Sequence, residues 1–219
     1  KQGETVAFIG STGSGKSSLI NLVPRFYDTT DGEVLVDGVN VKDYKQETLH
    51  NKIGYVPQKA VMLTGTVKSN VCYGNKSVSE EEMKKAIDVA QGTEFVSKMD
   101  KTYDAHIARG GTNVSGGQKQ RLAIARAIAK KPEIYIFDDS FSALDYKTDS
   151  VLRSELKKYT SDATNLIVAQ RIGTILNADV IVVLDKGKCV GMGTHKELME
   201  NCPVYKEIAL SQLSKEELN

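Results

Sequence analysis

A glycine-rich loop near the start of the chain constrains the fold more than any other feature. Residues 10–17 read G-S-T-G-S-G-K-S, a complete G-x-x-x-x-G-K-[ST] pattern between an apolar run at 5–9 and a helix-like run at 17–23. Glycines let successive backbone N–H groups curl around one phosphate chain, and the N-terminus of the following helix adds a positive dipole end. The pattern predicts a strand–loop–helix unit that binds phosphate. Lys16 would supply a positive charge to the phosphates, and the hydroxyl of Ser17 would ligate Mg²⁺.

The composition is that of an ordinary globular chain and excludes several classes of function. Of the 219 residues, 40% are hydrophobic and 26% charged, and the net charge of +1 gives no basic field for a nucleic-acid partner. The sequence contains no apolar run of the length, about 18 residues, that indicates a membrane span. Three scattered cysteines favour a reducing compartment. Because the sequence starts without Met just before the loop, we expect it to be a piece of a longer polypeptide.

Strand-like runs alternate with helix-like segments along most of the chain. This alternation predicts an α/β fold with a mostly parallel sheet covered by helices on both faces. A hairpin signal around Asp37-Gly38 adds an antiparallel β subdomain, whereas a capped helix after Ser79 and a second helix over 118–130 add a helical subdomain. We expect a core of residues 1–58 and 131–219, with residues 59–130 as the inserted helical subdomain.

Two adjacent acids follow a second apolar strand. Asp138 ends the run I-Y-I-F-D at 134–138, and the carboxyl ends of strands in α/β sheets are where ligands bind. Asp138 is therefore the expected second ligand for Mg²⁺ beside the phosphate loop. Asp139 follows at the position where a base for an attacking water would lie.

A second anion-binding helix N-terminus is indicated between these two halves. Residues 114–118 read V-S-G-G-Q, with a serine and two glycines at the start of a helix. One nucleotide does not need two such sites on one chain. We expect Ser115, Gly116, Gly117 and Gln118 to contact the γ-phosphate of ATP held by another subunit.

Together these motifs resemble the nucleotide-binding domain of an ATP-binding cassette (ABC) transporter, of the exporter type. Residues 10–17 are similar to the family's Walker A loop, 134–138 to Walker B, and 114–118 to the signature loop. Y-V-P-Q at 55–58 resembles the Q-loop, and S-A-L-D at 142–145 resembles the D-loop. The resemblance covers the whole chain and implies a P-loop NTPase (RecA-like) core.

The resemblance also implies a role for each matching residue. Those implied to contact the ATP phosphates are Ser11, Thr12, Gly13, Ser14, Gly15, Lys16, Ser17 and Ser18. Ser17, Gln58 and Asp138 would hold Mg²⁺, while Asp145 would belong to the D-loop contact between subunits. The implied partners are a second nucleotide-binding domain and a transmembrane domain of the same polypeptide upstream of Lys1, at the cytoplasmic face of the cell membrane.

Two departures from the family pattern weaken the hydrolytic step. The family usually has Glu directly after the Walker B Asp, and His at the switch position; this chain has Asp139 and Gln170. Asp is one methylene shorter, and a misplacement of about 1 Å can cost on the order of 10²-fold in rate. With Gln58, these residues form the expected catalytic set. The pair of changes fits the degenerate-site half of a heterodimeric, multidrug-type exporter.

Other classes of function stay open or are disfavoured at this stage. The Glu-to-Asp change alone is also compatible with simple drift. A nucleotide-gated regulatory half, which binds ATP but scarcely hydrolyses it, is a distinct alternative that Asp139 and Gln170 favour. A soluble ABC ATPase acting on DNA or ribosomes is disfavoured, because the interval from Ser17 to Ser115 contains no long coiled coil and the chain has no basic tail.

Overall fold

The computed structural model describes residues 1–75 and 77–213 of the chain. The strands are β1 (Thr5–Ile9), β2 (Leu35–Val36), β3 (Val39–Asn40), β4 (Ile53–Val56), β5 (Gly65–Thr66), β6 (His106–Ile107), β7 (Ile134–Asp138), β8 (Thr164–Val168), β9 (Val180–Asp185) and β10 (Lys188–Gly193). The helices are α1 (Lys16–Ile20), α2 (Gln46–Lys52), α3 (Val67–Val71), α4 (Glu80–Val89), α5 (Thr93–Ser97), α6 (Gly116–Lys130), α7 (Tyr146–Tyr159), α8 (Ile172–Ile175), α9 (His195–Asn201) and α10 (Pro203–Gln212).

A six-stranded sheet forms the centre of the fold, in the order β10-β9-β1-β8-β7-β4. All neighbouring strands run parallel except β10, which pairs antiparallel with β9 at the edge. The inner strands β7 and β9 are almost wholly buried, as expected for parallel strands covered on both faces. The prediction of an α/β fold with a mostly parallel sheet is therefore confirmed.

The predicted turn at Asp37-Gly38 and a second tight turn both form through left-handed backbone. Asp37 and Gly38, with φ of 50° and 76°, join β2 to β3, and Lys186 and Gly187, with φ of 47° and 77°, join β9 to β10. Positive φ at both central residues matches the twist of two paired strands and explains why Gly is the second residue of each turn. The first hairpin is the separate antiparallel sheet β2–β3.

The helical segment is built on capped, amphipathic helices. Ser79 and Ser115 each form a capping box at the start of α4 and α6, through Glu82 and Gln118 respectively. The two helices pack against one another, and their buried faces include Met83, Ile87, Leu122, Ile124 and Ile128. Within the described residues, no helix combines the length and apolar character needed to cross a membrane.

Among the described residues, the inner side chains form three clusters, and the largest joins the helical segment to the sheet. It contains Leu122 of α6, Phe137 of β7 and Leu152 of α7. A second cluster lies between β1 and β9 and the C-terminal helices, around Tyr205. A third lies under α1 and α2, around Ile20 and Leu49. The sheet is therefore packed against helices on both of its faces.

Several short elements carry no strong local signal in the sequence. Residues 4–56 read mainly as strand, yet they include the helix α2, which buries Leu49 completely. Helices this short are stabilised by tertiary packing rather than by propensity. The antiparallel pair β5–β6, inside the predicted helical segment, was also not predicted. Residues 214–219 of the predicted core lie outside the described residues.

A matched pair of leucines tests the position of the core. Leu122 of α6 is fully buried, whereas Leu210 of α10 is 53% exposed. We expect Leu122→Ala to lower the free energy of unfolding by about 2–5 kcal/mol, because it leaves a cavity, and Leu210→Ala to change it by less than about 1 kcal/mol. Urea denaturation followed by circular dichroism measures both; equal losses would contradict the placement of α6.

Candidate nucleotide-binding site

The glycine-rich loop connects β1 to α1 by a tight, left-handed path. Gly13 and Gly15 have φ of 81° and 97°, a region that favours glycine. The N–H of Ser14 donates to the carbonyl of Ser11 at 3.1 Å and closes the turn. Gly10 is required for another reason: a Cβ there would lie 2.1 Å from the carbonyl oxygen of Leu184 in β9. The backbone of the loop thus lies so close to β9 that position 10 has no room for a side chain.

The ammonium of Lys16 lies inside the curl of this loop. Its Nζ donates to the carbonyls of Gly10 and Ser11 at 2.8 and 2.9 Å, and the residue is 8% exposed. Burial lowers the pKa of Lys16, opposed by the charges of Asp139 and Asp138. The structure thus brings one cation and two carboxylates together.

Asp138 ends β7 beside the start of α1. The Ser17 hydroxyl donates to Asp138 Oδ1 at 2.8 Å. The Tyr55 hydroxyl lies 3.3 Å from Asp138 Oδ2 and 3.0 Å from Asn21 Oδ1, and its single proton can serve one of them at a time. Burial, and then the charge of Asp138, raises the pKa of Tyr55 well above its usual range. The adjacent oxygens of Ser17 and Asp138 form the kind of hard donor pair that Mg²⁺ prefers.

Asp139 has a strained backbone conformation, and its carboxylate accepts hydrogen bonds from two side-chain amides. Its φ is 47°, and its N–H donates to the carbonyl of Val168 at 2.9 Å. Gln58 Nε2 and Gln170 Nε2 both donate to Asp139 Oδ2, at 2.9 and 2.7 Å. Burial raises the pKa of Asp139, and the neighbouring Asp138 adds to this, while the hydrogen bonds oppose it. A carboxyl with a raised pKa is a better proton acceptor than an exposed one.

One cleft of about 260 Å³ collects most of the predicted site residues. Its lining comprises Thr12, Gly13, Gly15, Lys16, Ser17, Ser18, Gln58, Asp139, Val168 and Gln170. Two further residues of the loop do not line the cleft. The side chain of Ser14 is buried, with its hydroxyl 3.4 Å from Lys16 Nζ, whereas Ser11 is exposed. All of these positions were named from sequence except Val168.

The signature residues and Asp145 do not line this cleft. The Ser115 Oγ accepts from the N–H of Gln118 at 3.2 Å, and Gln118 Oε1 accepts from the N–H of Ser115 at 2.9 Å. Ser115 and Gly116 are exposed at the start of α6. Asp145 caps α7 by accepting from the N–H of Thr148 at 3.0 Å. These groups therefore lie outside the lining of the cleft that contains Lys16 and Asp139.

Two supporting residues were missed by sequence reasoning. The Ser140 hydroxyl donates to the carbonyl of Val56 at 2.8 Å, and Gln120 Nε2 donates to the carbonyl of Pro57 at 3.1 Å. They hydrogen-bond to the two consecutive carbonyls that precede Gln58. Their partners lie 84 and 63 positions away in sequence, and no local pattern signals such pairs.

A glycine-rich loop and an acidic strand end on one edge of a parallel sheet define a P-loop, nucleotide-binding class of protein. A family model described as ABC transporter matches residues 1–142. An uncharacterized ABC transporter ATP-binding protein of Mycobacterium tuberculosis is 48% identical over 97% of this chain and 37% of its own length. A putative multidrug export ATP-binding/permease protein of Staphylococcus aureus is 43% identical over 95% of this chain and 36% of its own length.

A solved structure gives the same result in three dimensions. A bacterial Atm1-family ABC exporter with ATP bound matches with a TM-score of 0.93 at 35% identity, over 97% of this chain and 38% of that chain. The chain belongs to the ABC transporter family, and it spans little more than a third of the length of these relatives.

The close approach of Gly10 to β9 provides a test of the loop geometry. We expect Gly10→Ala to lower ATP affinity about tenfold or more, the equivalent of about 1.4 kcal/mol, because the new Cβ must push the loop away from Leu184. Gly173→Ala is the control, since a Cβ there meets nothing within 4 Å. Titration with a fluorescent ATP analogue measures both, and an unchanged Kd for Gly10→Ala would contradict this geometry.

Proposed function

We propose that this chain is the ATP-binding and ATP-hydrolysing motor domain of an ABC exporter, acting at the cytoplasmic face of the cell membrane. The observation that carries the proposal is the single cleft in which Lys16, Ser17, Gln58, Asp139 and Gln170 meet. The similarity to an exporter solved with ATP bound and to a multidrug export protein supports it. Head-to-tail dimerisation on ATP would then drive the movement of cargo across the membrane.

Nucleotide binding would use the loop and the first turn of α1. Backbone N–H groups of residues 11–18 and the Lys16 ammonium would hold the phosphates, because both present positive charge to one concave surface. Ser17, Gln58 and Asp138 would hold Mg²⁺ through oxygen atoms, and the ion would neutralise charge on the β- and γ-phosphates. The hydrogen bond between Ser17 and Asp138 supports this donor set.

Hydrolysis would depend on Asp139, with help from Gln58 and Gln170. Asp139 would accept a proton from the attacking water. As the oxygen of that water bonds to the γ-phosphorus, the bond between this phosphorus and the oxygen of ADP breaks. Two features make this step poor. The Asp139 side chain is one methylene shorter than the Glu that the family usually has at this position. Gln170 donates a hydrogen bond but carries no titratable proton. We therefore propose that this is the hydrolytically impaired site of a heterodimer.

The second nucleotide-binding domain would complete two composite sites. The loop formed by Ser115, Gly116 and Gly117, of which the first two residues are exposed, would contact the γ-phosphate of ATP in the partner's cleft, and Asp145 would lie at the junction. Neither this loop nor Asp145 is part of the lining of the chain's own cleft, which supports this assignment. The chain would thus combine a poor site of its own with a sound signature loop for its partner.

A transmembrane domain of the same polypeptide would dock on an aromatic groove. This groove, of about 260 Å³, includes Phe26, Tyr55, Tyr73 and Arg126. Phe26 and Tyr73 are 48% and 60% exposed, and large exposed aromatic side chains mark interaction surfaces. The Staphylococcus aureus relative is an ATP-binding/permease protein of which this chain covers 36%, which supports a permease as the occupant. Tyr55 also contacts Asp138, so docking and the nucleotide site would share a side chain.

A regulatory half that binds ATP with little turnover is the second candidate function. The same two residues, Asp139 and Gln170, favour it. Stable ATP-dependent association of the two domains with very slow turnover in the assembled transporter would support this candidate over the motor.

The impairment is tested by restoring the family residues. We expect the double variant Asp139→Glu/Gln170→His to raise ATP turnover in the assembled transporter by up to about 10²-fold, because the carboxylate regains its reach. The measurement is steady-state phosphate release, with a co-expressed partner half whose own catalytic Glu is replaced by Gln, so that only this chain's site contributes to the signal.

Two control variants separate binding from hydrolysis in this experiment. Lys16→Ala should abolish tight ATP binding, whereas Lys85→Ala, on the exposed face of α4, should leave it unchanged. Flat turnover in the double variant would contradict the impairment, and so would fast turnover by the isolated chain that Asp139→Ala removes.

A charge placed in the signature loop tests the shared site. Gly116 is exposed, and a Cβ there meets nothing within 4 Å, so Gly116→Asp should fold normally. An acid in the first helical turn even favours α6, yet it would repel the partner's γ-phosphate. We expect ATP-dependent dimerisation, measured by light scattering, to be lost while the chain's own Kd for ATP is kept. Gly116→Ala is the control that should dimerise; dimerisation of Gly116→Asp would contradict the shared site.

A further inference from the structure

The C-terminal helix is hydrogen-bonded to the backbone on both sides of Arg171. The amide of Gln212, the last residue of α10, donates through Nε2 to the carbonyl of Gln170 at 2.9 Å. Its Oε1 accepts from the N–H of Ile172 at 2.8 Å. One planar side chain thus spans the backbone of residues 170–172, from a position 40 or more residues later in the chain.

The base of this contact is rigid. Tyr205 and Ala209 of α10 are fully buried in the same cluster as Ile172 and Ile175 of α8. Gln212 lies less than one turn beyond Ala209, and it therefore projects from the part of the helix that is packed into the core. The contact is a side chain on a fixed support, not a mobile tail resting on a loop.

A second support reaches the same segment from the opposite direction along the chain. Arg153 of α7 donates through Nη1 to the carbonyl of Gly173 at 3.0 Å and through Nε to Asp149 at 3.0 Å. Asp149 is 4% exposed, so the arginine is anchored on the helix from which it extends. The backbone of residues 170–173 is thus held by α10 at its start and by α7 at its end.

We propose that Gln212 is a positioning residue that aims Gln170 at Asp139. Gln212 does not touch the reacting atoms. It fixes the carbonyl of Gln170, whose own amide donates to Asp139 Oδ2 at 2.7 Å. This inference rests on the proposed function, because it assigns Gln212 a part in the hydrolytic step. It makes the orientation of the catalytic amide depend on the C-terminal helix.

The physical reason is that one residue makes both contacts: the carbonyl of Gln170 accepts from Gln212, and its side-chain amide donates to Asp139. The side-chain amide of Gln170 can reach Asp139 only if its backbone keeps one orientation, and β8 ends two residues earlier, at Val168. Beyond that end the sheet provides a backbone partner for the N–H of Ala169, which donates to the carbonyl of Phe8 at 3.1 Å, whereas the carbonyl of Gln170 accepts from Gln212. Hydrogen bonds from Gln212 take over that role, so their loss would let Gln170 sample other rotamers and directions.

Hydrogen exchange tests the contact without any need for activity. In Gln212→Ala, the amide of Ile172 should exchange at least about tenfold faster than in the wild type, because its acceptor is gone. Glu207→Ala is the matched control, an exposed polar residue replaced by alanine on the same helix. Thermal unfolding should be the same for both variants. Unchanged protection of Ile172 in Gln212→Ala would overturn the proposal.

A double-mutant cycle on ATP turnover, measured in the assembled transporter with the partner's own hydrolytic site inactivated, tests the functional part. We expect Gln212→Ala to lower kcat on the order of tenfold, with KM and the Kd for ATP unchanged, and to have no further effect in a Gln170→Ala background. Glu207→Ala should keep the wild-type kcat. Additive losses of the two substitutions would overturn the positioning role, since they would show that Gln212 acts elsewhere.

The two readouts separate this proposal from the proposed function. If the chain binds no ATP, or if Gln170→Ala leaves turnover unchanged, the proposed function of the site fails. The contact between Gln212 and Ile172 is then still decided by hydrogen exchange. If Gln170→Ala lowers kcat while Gln212→Ala does not, the proposed function stands and the positioning role is overturned.

Discussion

The parallel pairing of β8 with both β1 and β7 is the constraint on which the candidate site depends. Phe8 and Asp138 are both paired with Val168, so three strands end at one edge of the sheet. The phosphate loop follows β1, the two acids follow β7, and Gln170 follows β8. A register shift of one residue would move a strand by about 3.3 Å along its axis. A displacement of that size would break the 2.8 Å hydrogen bond from Ser17 to Asp138.

This edge concentrates charge that would be costly elsewhere in the fold. Lys16, Asp138 and Asp139 are each less than a tenth exposed, and an isolated buried charge is strongly unfavourable. Every one of them has hydrogen-bonding partners, and the left-handed backbone of Asp139 is held by the N–H bond to Val168. The stability of the surrounding sheet therefore maintains a strained, partly desolvated cluster, as is common where a protein performs chemistry.

The sequence predicted the parts of the molecule that have local signals. The loop at 10–17, the turn at Asp37-Gly38 and the cap at Ser79 each use residue types that suit one backbone conformation. The supports of the site have no such signal. Tyr55, Ser140 and Gln212 act on groups 83, 84 and about 40 positions away, and only the folded register shows these pairs. The same holds for α2, which exists because Leu49 is buried.

In the proposed assembly, the separation of the signature loop from the chain's own cleft has a thermodynamic consequence. Each ATP would contact two chains, so ATP binding and dimerisation become one linked equilibrium. A ligand that binds only the closed state at about 100 times its Kd stabilises that state by about 2.7 kcal/mol. Turnover removes this stabilisation, and a site that turns over slowly keeps it for longer. Asp139 and Gln170, held as they are by Gln58 and Gln212, would then set how long the closed state lasts rather than whether it forms.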